Sequence, residues 1–296
     1  MMTLDRQLTI RRLADLAEMD SLVELQREIW GYGDAGQDFP YPARALFSIS
    51  ESGGLVAGAY AGERLAGFSA AWLGLAPDNQ QWYLHSQLLG VRDQYRRLNV
   101  GYRLKLYQRD FALKRGLDRI RWTFDPLQAV NANLNLRKLG AVVQTYRPNY
   151  FGSAASRFNR DAETDRVWAE WLIDSRLVER RLQGGTASPA SLDETLLINR
   201  TVERRTDDRR LLQPESWKPG LREPKLLLEI PDSFDHLRVE DAELARDWRI
   251  HLREAFLFYL ADGYRAVDFL SLRAGDRRRN AYLLSNRPLE ELLNGD

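Results

Sequence analysis

Leu88-Leu89-Gly90-Val91-Arg92-Asp93-Gln94-Tyr95-Arg96-Arg97-Leu98-Asn99-Val100-Gly101 is the stretch on which the reading of this chain turns. Its apolar first residues end a run that begins at Trp82 and reads as a buried strand, Trp82–Val91. A tight, basic turn follows. Tyr102, Leu104 and Leu106 then open a helix expected over about Asn99 to Lys114, with Gly116 just past its end. The backbone N–H groups at such a helix start face the turn and have no partners within the helix. Together with the positive end of the helix dipole they suit a phosphate or pyrophosphate. Arg96 and Arg97 add charge at the same place.

Working outward, Leu8–Arg12 reads as a first strand, and Leu13 to Trp30 repeats apolar residues at helical spacing until Gly31-Tyr32-Gly33 stops it. A short helix is expected over Ala43–Ser50. Leu55–Tyr60 and Arg64–Leu73 form a hairpin around Ala61-Gly62-Glu63, and Pro77-Asp78-Asn79 turns the chain into Trp82–Val91. Beyond the central helix come a strand, Arg119–Phe124, a helix, Gln128–Leu139, and a strand, Ala141–Tyr146. A three-strand meander followed by strand–helix–strand predicts a mixed α/β sheet, partly antiparallel and partly parallel.

Composition narrows the function. With 43 Lys+Arg against 42 Asp+Glu in 296 residues, nothing favours nucleic acid or an anionic membrane as partner. The absence of cysteine removes disulfides, thiolate metal sites and a cysteine nucleophile. His85, His236 and His251 stand in no ligand spacing, so no metal is expected. The first residues lack a secretory pattern and no apolar run is long enough for a membrane helix, which points to a cytoplasmic protein.

The turn resembles that of the GCN5-related N-acetyltransferases. Their signature, Gln/Arg-x-x-Gly-x-Gly/Ala after a strand, is matched by Arg96-x-x-Asn99-x-Gly101, with Asn99 in place of the first glycine. Asn tolerates a left-handed backbone better than other residues with a side chain. The resemblance covers roughly the first half. It implies that Leu89, Gly90, Val91, Arg96, Arg97, Leu98, Asn99, Val100 and Gly101 hold acetyl-CoA or succinyl-CoA, and that Asn131, with Asn133 next, contacts the cofactor from the following helix. Many relatives place a tyrosine general acid where this chain has Leu136; Tyr146, Tyr150 and Tyr107 are the alternatives.

Acyl transfer to an amine needs a base, a donor for the developing oxyanion and fixed positions for both reactants. The family's fourth and fifth strands splay apart around the acyl arm, so backbone N–H groups near Leu89 to Val91 are expected to hold the thioester. A bulge would re-aim one of them. His85, on the same strand, is the candidate base or water relay. It resembles the first of two histidines of arylalkylamine N-acetyltransferases, with Gln87 at the second position. Asp125 is the rival base, or else caps the next helix. Arg103 and Arg121 are candidates for an acidic substrate.

Residues 1–182 are thus read as the acyltransferase domain, 183–224 as a connection with a short strand at Leu196–Asn199, and 225–296 as a C-terminal α/β unit. That unit has a strand, Leu226–Ile230, a helix, Ala242–Ala261, and strands Ala266–Leu272 and Ala281–Leu284. The order echoes the cofactor half as a degenerate second copy would, and the unit is expected to shape the acceptor pocket or a homodimer contact. The combination of halves resembles a bacterial group of acetyltransferases, some similar to enzymes that succinylate free amino acids. A small amine is the expected acceptor. A protein amine, or a non-catalytic acyl-CoA-binding module, stands as the alternative.

Overall fold

The computed structural model describes residues 8–31, 39–77, 80–152, 163–184, 189, 191–205, 210–274 and 277–294. Tyr32 and Gly33, Asp78 and Asn79, Gly185 and the 206–209 part of the charged run lie outside them. The chain divides into two compact units, one of residues 1–122 and 153–161, the other of 123–152 and 162–296.

In the first unit β1 (Leu8–Arg12), β2 (Leu55–Ala61), β3 (Arg64–Leu75) and β4 (Trp82–Val91) form an antiparallel meander, and β5 (Arg119–Phe124) enters parallel to β4. Helix α1 (Leu16–Trp30) starts three residues later than the apolar pattern does. The Glu18 carboxylate accepts the Ala14 and Asp15 N–H groups there and fixes the first turn, while Leu13 is already in the core. Gly31, at φ 67°, closes the helix as a left-handed cap.

Helices α1 and α2 (Ala43–Glu51) cover one face of the meander. Leu22, Leu25, Ile29 and Leu46 pack there with Val56, Phe68, Ala70 and Leu88. Helix α3 (Val100–Leu113) covers the other face: a Cβ on Gly67 would meet Val100, whereas its neighbour Phe68 stacks edge-on against Trp30. Gly116 ends the α3 turn at φ 69°.

In the second unit, α4 (Ala129–Ala132) continues as a π-helix over Asn133–Lys138, leading to β6 (Val142–Arg147), β7 (Arg166–Leu172) and α5 (Arg176–Leu182). Then come β8 (Asn199–Arg205), β9 (Arg210–Trp217), β10 (Lys225–Ile230), α6 (Phe234–Glu240), α7 (Ala242–Ala261), β11 (Arg265–Ala274), β12 (Arg277–Ser285) and α8 (Leu289–Asn294). The sheet order is β7-β6-β11-β12-β10, with every neighbour antiparallel.

Two expectations change here. The stretch expected to be mostly connection carries the β8–β9 hairpin, in which Arg200 pairs across the strands with Glu215 at 2.8 Å and apolar Leu211 and Leu212 are half-buried. The Leu212 carbonyl accepts the Trp248 indole N–H at 2.7 Å. Further on, the strand–helix–strand of β10, α7 and β11 is present, but β12 lies between the two strands. β4 and β5, to which they were matched, pair directly, so that strand-for-strand correspondence does not hold. The second unit is an α/β unit, as expected.

Candidate functional site

The predicted site begins on β4. Opposite Ala70 and Ala71 of β3 stand Leu88 and Ser86, so Gln87 is an extra residue and forms a bulge. This is two residues upstream of where a bulge was expected. It leaves His85 on the face of α1 and α2, opposite Trp72, while Ser86 turns toward α3. The His85 Nε2 lies 2.9 Å from Gln87 Oε1, and the Gln87 amide donates to the Tyr41 hydroxyl at 2.9 Å. Trp72 lies 5.2 Å from the ring, centre to centre. Burial pushes the His85 pKa below the ordinary histidine value; the Gln87 bond opposes this, and Lys105 and Arg121 add to it. Burial therefore favours the neutral imidazole, the form that can take a proton.

Past His85 the parallel ladder ends. Leu84 pairs with Ile120 and His85 with Arg121, and β4 then runs on without a further rung to β5. Gly90 lies on the core face, where a Cβ would stand 2.8 Å from Phe68 Cε1 and 3.0 Å from Ile29 Cδ1. Gly90→Val is accordingly expected to destabilise the protein by about 1–3 kcal/mol, read from a denaturant midpoint. An unchanged midpoint would show that this packing yields freely. Leu89 and Val91 flank Gly90 and are half-buried.

The turn itself is a 3₁₀ helix over Asp93–Leu98 that ends on Asn99 at φ 53°, ψ 27°. Asn99 thus takes the left-handed conformation that glycine would otherwise supply. The Arg103 N–H bonds the Asn99 carbonyl at 3.0 Å, the first bond of α3. The N–H groups of Val100, Gly101 and Tyr102 are left at the helix start, as at any helix N-terminus. Arg96 and Arg97 are exposed beside it, and Arg96 also pairs with Asp93 at 2.8 Å. Leu98 is half-buried.

A meander, a parallel fifth strand that parts from the fourth, a bulge on the fourth and a left-handed residue before a basic helix start are now all in place. This arrangement is similar to the fold of the GCN5-related N-acetyltransferases. Within it, solved structures similar to this chain include the ribosomal-protein-S18-alanine N-acetyltransferase of Escherichia coli, 18% identical over 56% of this chain and 94% of that one, TM-score 0.44. Aminoglycoside 6'-acetyltransferase type Ii is 21% identical over 57% and 99%, TM-score 0.41. The NatC complex bound to Gag peptide and CoA has a chain 14% identical over 56% and 98%, TM-score 0.43. No protein-family model and no curated protein matches the sequence.

The remaining candidates separate. Asp125, at the start of the second unit, accepts both guanidinium nitrogens of Arg249 at 2.6 and 2.7 Å and the Leu127 N–H at 2.9 Å. Burial works to raise its pKa, but Arg249 outweighs that and holds it below the ordinary aspartate value. Both its oxygens are engaged in structure, which makes Asp125 a turn-capping and ion-pairing residue and a poor base. Asn131 is exposed on α4 and Asn133 half-buried at the start of the π-helix. Among the tyrosines, Tyr146 donates to buried Asp165, and burial followed by that carboxylate pushes its pKa well above 10. Tyr150 stacks edge-on against Phe151, and Leu136 is fully buried.

The two arginines considered for an acidic substrate are otherwise occupied. Arg103 bonds the Leu8 carbonyl and Arg121 lies over Tyr83. Trp122 is buried, whereas Trp82 is 57% exposed and lines a pocket with Leu73, Arg115 and Leu117. Lys105 was missed altogether. Its signal was faint, a single lysine at a core position of the α3 pattern, at i+1 from Leu104.

Proposed function

We propose that this protein is an acyl-CoA-dependent N-acyltransferase that moves an acetyl or succinyl group to the amine of a small acceptor, with a free amino acid as the acceptor class. The observation that carries the proposal is one strand, β4. It holds a neutral, oriented imidazole at His85 and then runs, beyond its last rung with β5, into the left-handed Asn99 turn and the open N–H groups of α3. The pyrophosphate of the donor occupies that helix start, with Arg96 and Arg97 beside it and Leu98 to Gly101 forming the cradle. Backbone groups of Leu89, Gly90 and Val91 hold the pantetheine and the thioester carbonyl. His85 takes a proton from the acceptor ammonium, the amine attacks the carbonyl carbon, and the C–S bond breaks as the thiolate leaves and takes up, through solvent, the second proton released by the new amide nitrogen.

The test is thiol release by the purified protein with acetyl-CoA or succinyl-CoA against a panel of amino acids and amines. Release that needs both substrates supports the proposal. Leu136, buried where relatives have a tyrosine, favours a second reading, a binding module without turnover. That reading expects CoA binding and no release with any amine.

His85→Ala is expected to lower kcat by about 100-fold, within the usual range for losing a general base, while leaving CoA affinity within about threefold, a small loss on the affinity scale. In the wild type the acid limb of the rate profile should lie below the ordinary histidine pKa of about 6.5, because burial favours the neutral ring. An unchanged rate and an unchanged limb in the variant would remove His85 from the mechanism.

A further inference from the structure

Lys105 is 2% exposed, yet among the described residues no carboxylate pairs with it. Its Nζ hydrogen-bonds Ser86 Oγ at 2.9 Å and stands 3.4 Å from the centre of the Trp122 ring. Ser86 is the first residue of β4 after the His85–Arg121 rung, and Trp122 is the first residue of β5 after it. The amino group therefore closes the narrow end of the wedge that opens between the two strands. Taking an ammonium out of water is costly unless a counter-charge accompanies it, and burial alone drives the Lys105 pKa well down. An apolar side chain of the same length would fill the position without that cost. Gln108, one turn further along the same face of α3, is also fully buried, and its amide makes no hydrogen bond with the described residues. Two buried polar side chains on the sheet side of α3 thus carry bonding capacity that the chain itself does not use.

We propose that Lys105 receives the terminal carboxylate of a dicarboxylic acyl group, so that the donor is a succinyl-type thioester of coenzyme A. The inference rests on the acyl-CoA reading above. A thioester held by backbone N–H groups at Leu89 lies three residues from Ser86, about 10 Å of strand. An extended four-carbon dicarboxylic acyl group reaches about 5 Å beyond its carbonyl carbon, given bonds near 1.5 Å, and a charge-assisted hydrogen bond adds about 2.8 Å. Together they nearly cover the distance. An acetyl group stops short and leaves the buried amine uncompensated. The Ser86 hydroxyl holds the lysine in place and the Trp122 face supports its charged form. A site built to bond a polar group rejects the analogue that lacks it far more strongly than a hydrophobic pocket rejects a change of size.

Calorimetric binding of succinyl-CoA and butyryl-CoA, which share a carbon count and differ in the carboxylate, tests this with no need of an acceptor. The wild type is expected to bind succinyl-CoA at least about 30-fold more tightly, the range of one charged hydrogen bond. Lys105→Met should bring the two affinities within about threefold of each other, and Ser86→Ala should lower the ratio by several-fold. Equal affinities in the wild type, or a Lys105→Met variant that keeps the ratio, overturn the assignment. Should Lys105→Met fail to fold, the wild-type ratio and Ser86→Ala decide. Binding of CoA without any ratio removes the dicarboxylic donor alone; no binding of any CoA species removes the acyl-CoA reading and this assignment with it.

Discussion

Gly101→Trp is expected to weaken CoA binding by at least about a thousandfold, a loss of about 4 kcal/mol. Gly101 is the second residue of α3, between Val100 and Tyr102, whose N–H groups stand with its own at the open helix start. An indole at that position occupies the space a pyrophosphate must enter and shields the three donors. The backbone has no reason to object, since Gly101 is helical and residues with side chains adopt that conformation freely. Gly101→Ala is the matching control. It adds one methyl group, improves helix propensity by about 1 kcal/mol, and should bind CoA far more tightly than the tryptophan variant. Titration of both variants with CoA, alongside thermal unfolding to show that each is folded, decides the matter. A folded Gly101→Trp protein that binds CoA as the wild type does would mean that the pyrophosphate lies elsewhere, and the proposed function would lose its cofactor site.

The turn was legible because its chemistry is local. Asn99 could be read as left-handed because it stands where the resembled signature has glycine and asparagine tolerates that conformation, and the structure gives φ 53°. The strand bounds Leu8–Arg12, Trp82–Val91 and Arg119–Phe124, and the helix Ala242–Ala261, were likewise set by nearby apolar spacing and by flanking glycine or polar residues. The bulge at Gln87 was not placed correctly, since nothing in a run of alternating residues says which one will lack a partner on β3. Strand β7 was overlooked although Val167, Ala169 and Trp171 alternate with Trp168 and Glu170, a pattern the sequence does show. The hairpin of β8 and β9 was hidden by its charges, which pair between strands on an exposed face and read in sequence as a solvated connection. Lys105 and the true commitments of Asp125 depend on residues 17 to 124 positions away, Trp122 and Arg249, and no local pattern connects them.

Asp125 offers the sharpest separation of structure from chemistry. Its side chain is 12% exposed and that of Arg249 6%, and the two meet through two parallel hydrogen bonds. Removing one partner of such a pair leaves the other charge buried without compensation, which costs about 3–5 kcal/mol. Asp125→Ala also removes the acceptor for the Leu127 N–H, a loss of about 1 kcal/mol typical of a capping side chain. The expected result is a fall in Tm on the order of 10 °C. Asp125→Asn keeps the oxygen that caps Leu127 and loses only the charge, so it should fall between the wild type and Asp125→Ala. The double variant Asp125→Leu with Arg249→Met should be less destabilised than the sum of the two single changes, because no unpaired charge remains. Acid should act in the same direction as mutation. The Asp125 pKa is depressed in the folded protein, so its contribution to stability is complete above the unfolded value of about 4 and is lost as pH falls below it. A catalytic base would behave otherwise: Asp125→Asn would abolish transfer and leave Tm in place. Observation of that pattern would return Asp125 to the reaction and move His85 to a supporting position, since a single proton from the acceptor needs only one first recipient.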